Sequence, residues 1–206
     1  EIRQGEAADE IVAYLASCPT CLVVVGEHAK GWLADLFVGS TALRVLHEAN
    51  IPTLLVRRPL GTDALKILIA NDFSDNARRA ATSACSLFPT AELTLLHAYP
   101  ERKFELMRLD GEPEQKIAAA RKALLASIAE EEGALRCELE LAPDARVYWE
   151  VTGGNPITVI LDHIKQSPPD LLVLGKHSGN VVQERLLGSV PQNILYNAMS
   201  NILLVP

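Results

Sequence analysis

The sequence contains no apolar run approaching the ~18 residues that a bilayer-spanning helix requires, and no charged stretch leading into a hydrophobic one near its start. A cytoplasmic protein without a membrane partner is therefore expected. Basic residues are in deficit, with 19 Lys and Arg against 26 Asp and Glu and a net charge of −7. That balance argues against electrostatic capture by nucleic acid or anionic membranes. Cysteine is scarce, and the four residues at positions 18, 21, 85 and 137 follow no disulfide-rich spacing, so they read as reduced thiols. No GxxxxGK[ST] stretch occurs, which excludes a P-loop NTPase, and no GxGxxG follows a strand-like run. Nor does any paired acid, nucleophile with base, or metal-ligand cluster stand out, so an enzyme is not expected.

What is present fits a packed globular protein. Hydrophobic residues make up 49% and charged residues 22%. A chain of 206 residues buries roughly 70% of its unfolded surface without disulfide or metal staples. Its length suits one large domain, or one domain and part of another. Opening on Glu1 instead of Met suggests a processed or excerpted chain.

The chain resembles itself at an offset of 149 residues. This shift places Gly5 on Gly154, Ile11 on Ile160, Pro19 on Pro168 and His28 on His177. It also places the run Leu22-Val23-Val24-Val25-Gly26 on Leu171-Leu172-Val173-Leu174-Gly175. Gly39-Ser40 falls on Gly188-Ser189, and Leu54-Leu55-Val56 on Leu203-Leu204-Val205. The matches gather on glycines and apolar runs, where backbone geometry and burial leave least freedom.

The second copy is the longer one. Apolar runs at 66–70, 93–98, 147–151, 171–174 and 202–205 read as buried strands. Helical spacing appears at 76–87, with Ser74 or Asp75 as cap, at 114–132 closed by Gly133, at 156–164 opening on Pro156, and at 187–197. Residues 100–113 are polar and read as turns. Five strands alternating with helices predict an α/β fold with a parallel, doubly wound sheet.

Residues 1–57 carry only the later half of this pattern: helix 7–16, strand 22–25, helix 36–48 and strand 53–56. Residues 58–65, with Pro59 and Gly61, read as a linker, and 66–206 as a complete unit. A half-sheet exposes an apolar strand edge, so either upstream residues or another chain is expected to cover it.

The chemical signal follows the strand at 171–174. There Gly175-Lys176-His177-Ser178-Gly179 leads, nine residues later, to Gly188-Ser189-Val190 at a helix start. Glycines beyond a strand's carboxyl end let backbone amides approach phosphate, and a helix N-terminus favours the anion. These residues resemble the universal stress protein family, whose nucleotide-binding members carry Gly, two residues, Gly, nine residues, then Gly and Ser or Thr. Gly175 and Gly188-Ser189 fit at the family spacing. Ser178 occupies the second glycine position with Gly179 one residue on, and Ala29 occupies it in the first copy. Further likeness lies in Ile69-Ala70-Asn71-Asp72-Phe73-Ser74, Leu95-Leu96-His97-Ala98 and Gly154-Asn155-Pro156.

The resemblance implies a Rossmann-like sheet of the adenine nucleotide alpha hydrolase type and a tandem, cytoplasmic stress-response protein. It implies ATP or AMP as ligand, with Mg accompanying ATP, and an unknown signalling partner. Asp72 and the Ala70 and Ala98 backbone would face adenosine; Gly175, Ser178, Gly179, Gly188, Ser189 and Val190 would surround the phosphates. It further implies that 53–56 and 202–205 are interface strands, pairing the two copies or a homodimer. Two other classes stay open: a nucleotide-free interaction module, and an ATP hydrolase, for which no water-activating group is evident.

Other candidates read as structural. Cys18-Pro19-Thr20-Cys21 matches Ser167-Pro168-Pro169-Asp170 in the repeat and reads as a loop entering a strand, since no second ligand pair completes a zinc site. His28 and His177 adjoin the glycine loops and read as solvated side chains or phosphate contacts. His97 reads as a hydrogen-bonded core histidine, Glu130 to Glu132 as a solvated helix end, and Trp32 and Trp149 as packing residues.

Overall fold

The structure, a computed structural model, describes residues 2–17, 22–26, 38–61, 65–141, 144–177 and 187–206. Cys18, Cys21, His28, Ala29, Trp32, Ser178 and Gly179 lie outside the described residues. Fourteen elements are seen among the described residues. In chain order these are α1 (Ala7–Ser17), β1 (Val23–Gly26), α2 (Ser40–Glu48), β2 (Thr53–Val56), β3 (Lys66–Ala70), α3 (Asp75–Leu87), β4 (Glu92–Tyr99), α4 (Arg102–Leu109), α5 (Glu114–Glu138), β5 (Arg146–Gly153), α6 (Pro156–Gln166), β6 (Leu171–Gly175), α7 (Ser189–Asn197) and β7 (Asn201–Val205).

The strands form one sheet in the order β1-β2-β7-β6-β3-β4-β5. Every neighbouring pair is parallel except β2 and β7, which meet antiparallel with Thr53 opposite Leu204, Leu54 opposite Leu203 and Leu55 opposite Ile202. The strands 53–56 and 202–205 thus pair within one chain. Both edges of each are occupied, β2 by β1 and β7, and β7 by β2 and β6.

Alternation along the strands explains their continuous apolar runs. Leu172, Leu174, Leu68, Leu96, Leu55 and Leu204 pack on one face with Leu46 of α2, Ile160 of α6 and Ile194 of α7. Leu171, Val173, Ile67, Ile69, Leu54 and Leu203 pack on the other with Ala80 and Ala84 of α3 and Leu135 of α5. With helices on both faces, successive residues all find apolar neighbours and no polar face is needed.

Two helices depart from expectation. The polar segment 100–113 contains α4, held by Phe104, which is buried beneath the Arg121 guanidinium at 5.0 Å. Helix α5 runs through Gly133 to Glu138. A glycine costs a helix interior only about 1 kcal/mol, and the fully buried Leu135 in the next turn offsets that cost. Helices α2 and α7 begin at Ser40 and Ser189, each preceded by an extended glycine.

The antiparallel junction sets the carboxyl end of α2 beside the end of β6, and the carboxyl end of α7 beside the end of β2. Each receives a cation from across the junction. Lys176, just after β6, donates from Nζ to Ala49 O at 2.8 Å. Arg57, just after β2, donates to Ala198 O and, at 2.5 Å, to Leu195 O. Carbonyls at a helix end lack intrahelical donors and carry the negative pole of the helix, so a cation satisfies both needs.

Candidate functional site

In an open α/β sheet, ligands lodge beyond the carboxyl ends of the strands where the strand order reverses. Here that point lies between β3 and β6, and a recess open to solvent at its mouth occupies it. Ala70, Asn71 and Asp72 line it from the end of β3, Leu96 and Ala98 from β4, and Leu174, Gly175 and His177 from β6 and beyond. Pro156 and Ile160 of α6, Ala77 of α3, and Val190 and Pro191 of α7 complete the wall.

The turn after β3 is fixed by its own side chains. Asn71 Oδ1 accepts from Phe73 N at 3.0 Å. Asp72 Oδ1 accepts from Ser74 N at 3.1 Å and from Ser74 Oγ at 2.5 Å. Ser74 in turn caps α3 by accepting from Ala77 N at 3.3 Å. Phe73 sits at φ 62°, left-handed backbone that a bulky residue adopts only when its surroundings enforce it. Its ring lies 4.7 Å from that of His97. His97 Nδ1 donates to Asn71 O at 2.9 Å, so this half-buried histidine braces the turn.

Gly175 is required by close approach. A Cβ there would lie 2.9 Å from Asn76 C, 3.0 Å from Asn76 Cβ and 3.1 Å from Ala77 N, all in the first turn of α3. Nearby, Asn76 Nδ2 donates to His177 O at 3.2 Å. Gly175→Ala is therefore expected to destabilise the fold by about 1–3 kcal/mol, because backbone must shift. Urea denaturation measures this, and an unchanged midpoint would mean that the first turn of α3 gives way freely.

Of the residues named from sequence, Ala70, Asp72, Ala98, Gly175 and Val190 come together around the recess. Gly188 and Ser189 stand at the start of α7 outside the lining. Gly188 N donates to Lys176 O at 3.0 Å, so that amide is engaged within the chain. Asn71 was missed. It is buried, and its Nδ2 has no hydrogen-bond partner among the described residues; its signal was its place beside Asp72 at a strand end. Ile160 and Pro156 were read as helix residues only, although the helix they open roofs the recess.

The described residues include no cluster of His, Cys, Asp or Glu arranged for a metal, and no helix among them is long and apolar enough to cross a membrane. Cys85 and Cys137 are free thiols, and burial pushes the Cys85 thiol upward.

A mostly parallel α/β sheet with a crevice at its switch point defines a Rossmann-like protein. Residues 1–57 and 64–206 match the model of the universal stress protein family, and the chain belongs to that family. A universal stress protein of Mycolicibacterium smegmatis is 26% identical over 222 residues, covering 100% of this chain and 67% of its own length. Protein MJ0577, the subject of a structure-based assignment of biochemical function, is 26% identical with a TM-score of 0.57 over 68% of this chain and 94% of its own. A putative universal stress protein from Pseudomonas aeruginosa UCBPP-PA14 shares the fold, with a TM-score of 0.67 and 16% identity over 98% of this chain and 69% of its own.

Proposed function

We propose that this chain is a regulatory protein that binds an adenine nucleotide, ATP or AMP, in the crevice between β3 and β6. The supporting observation is the convergence of Ala70, Asp72, Ala98, Gly175 and Val190 on one recess at the switch point. Leu96, Ile160, Leu174 and Pro156 supply flat apolar walls for a base, and the small Ala70 and Ala98 leave room beside the strand backbone. The exposed Asp72 carboxylate stands where it would accept from sugar hydroxyls, and the buried Asn71 Nδ2 offers an unused donor to the base or sugar. The first amides of α7, at Ser189 and Val190, precede its first intrahelical bond and suit an anion. Ser178 and Gly179 would complete the phosphate loop, with Mg accompanying ATP.

We read the role as regulatory because Asp72 is the one carboxylate among the described lining residues, and its Oδ1 already accepts two hydrogen bonds from Ser74. Residues 66–206 would be the complete nucleotide-binding unit, and 1–57 the later half of a second copy, joined to it through β2 and β7.

Differential scanning fluorimetry with ATP, AMP or no ligand tests this reading. Ligand at 100 times Kd adds ~2.7 kcal/mol of stability. Asp72→Ala should weaken binding about 10- to 100-fold, the worth of a hydrogen bond to a charged group. Ala98→Phe should abolish the ligand-induced shift by filling the recess. A melting curve unmoved by either nucleotide would favour the nucleotide-free interaction module, the reading that Ser178 in place of the second loop glycine supports.

A further inference from the structure

Lys176 is 4% exposed. A lysine is rarely so buried unless its ammonium is paired. Its Nζ reaches 2.8 Å to Ala49 O, the C-cap of α2, across 127 positions of sequence. Its backbone joins two further elements. The amide donates to Val205 O at 2.7 Å at the end of β7, and the carbonyl accepts from Gly188 N at the cap of α7. Its two chain neighbours, Gly175 and His177, both line the recess. One residue therefore connects the recess wall, the last strand, the start of α7 and the carboxyl end of α2.

We propose that Lys176 is a positioning residue for the recess: its side chain anchors the wall carrying Gly175 and His177 to the end of α2, and loss of its proton, which relieves the burial of a charge while leaving an N–H to donate, tightens that wall. The functional part of this inference rests on the crevice being the nucleotide site; the structural part does not.

The groups that face Lys176 are Glu48 and His47 on α2 and His177 beside it. Burial pushes the Lys176 ammonium down to about 8, while the Glu48 carboxylate opposes the fall. Burial, and then the charge of Lys176, lower both His47 and His177 below the ordinary imidazole value. Both imidazoles are accordingly neutral at slightly alkaline pH, where Lys176 is the member of the group that changes charge. Arg57 makes the corresponding contact at the end of α7, but a guanidinium keeps its proton throughout this range. The two caps thus differ: one is permanent and the other titrates.

The test follows backbone amide NMR shifts of the full chain from about pH 7 to about pH 9.5, a range that avoids unperturbed carboxylates and histidines. In the wild type, the amides of Gly175, His177 and Gly188 should titrate together with a midpoint of about 8. Lys176→Met should abolish that titration, and Lys176→Arg should hold the low-pH shifts throughout. ATP affinity should rise severalfold across the range in the wild type and stay level in Lys176→Arg. Amides that do not titrate in the wild type, or that titrate identically in Lys176→Met, overturn the proposal. Should Lys176→Met not fold, the wild type and Lys176→Arg carry the comparison, and a titration common to both also overturns it. Amides that titrate in a protein that binds no ATP refute the nucleotide reading and leave the anchor standing.

Discussion

Replacing Asn201 with alanine is expected to lower the free energy of unfolding by roughly 3 kcal/mol, since each buried polar group left unsatisfied costs about 1–3 kcal/mol. Asn201 is completely buried at the start of β7. Its Oδ1 accepts from Arg57 N at 2.8 Å and Arg58 N at 3.1 Å, and its Nδ2 donates to Asp170 O at 3.1 Å. One side chain therefore serves three backbone groups from two distant parts of the chain. Removing it takes away the bonds that Asn201 makes to two amides and a carbonyl and opens a small cavity. Urea denaturation gives the value, and a loss below about 1 kcal/mol would mean that water takes over the three bonds. Asn201→Asp should fall between, because a carboxylate still accepts from both arginine amides but offers nothing to Asp170 O except repulsion.

A second large effect is expected in the pH dependence of stability. Burial holds the Lys176 ammonium at about 8, below its ordinary 10.5. Between those values the unfolded chain binds more protons than the folded one, so this residue makes stability rise with pH across the interval. At about 1.4 kcal/mol per pH unit, the rise attributable to Lys176 comes to about 3 kcal/mol. Lys176→Met should lack it, and near neutral pH should match or exceed the wild type, because an apolar side chain of similar length avoids desolvating a charge. The measurement is the wild-type minus variant difference in urea-derived stability at successive pH values. A flat difference would show that water reaches the ammonium in the folded protein.

Strands were the most legible elements, because a strand buried on both faces must be apolar at every position, as Leu171 to Leu174 are. Helix ends were legible where a residue marks them: Ser74 caps α3, and Pro156 opens α6. Helix α4 was not legible, since its surface is charged and a single buried Phe104 sets its position. Gly133 misled for the converse reason: tertiary burial of Leu135 outweighs a local preference for stopping.

The site divides along the same line. Asp72, Gly175 and Val190 stand at strand ends and a helix start, and the family resemblance brought them forward. The need for glycine at 175 came from the backbone of α3, a hundred residues away in sequence, and no local pattern carries that information. Lys176, Arg57 and Asn201 were invisible for the same reason, since each takes its role from a partner more than one hundred positions distant.

The β2–β7 junction joins parts of one polypeptide, and this alters its response to mass action. A junction between separate chains fills and empties as the protein becomes abundant or scarce. A tethered one faces a fixed effective concentration, often in the millimolar range for short linkers, and stays closed on dilution. Cellular abundance is therefore a poor switch for this seam.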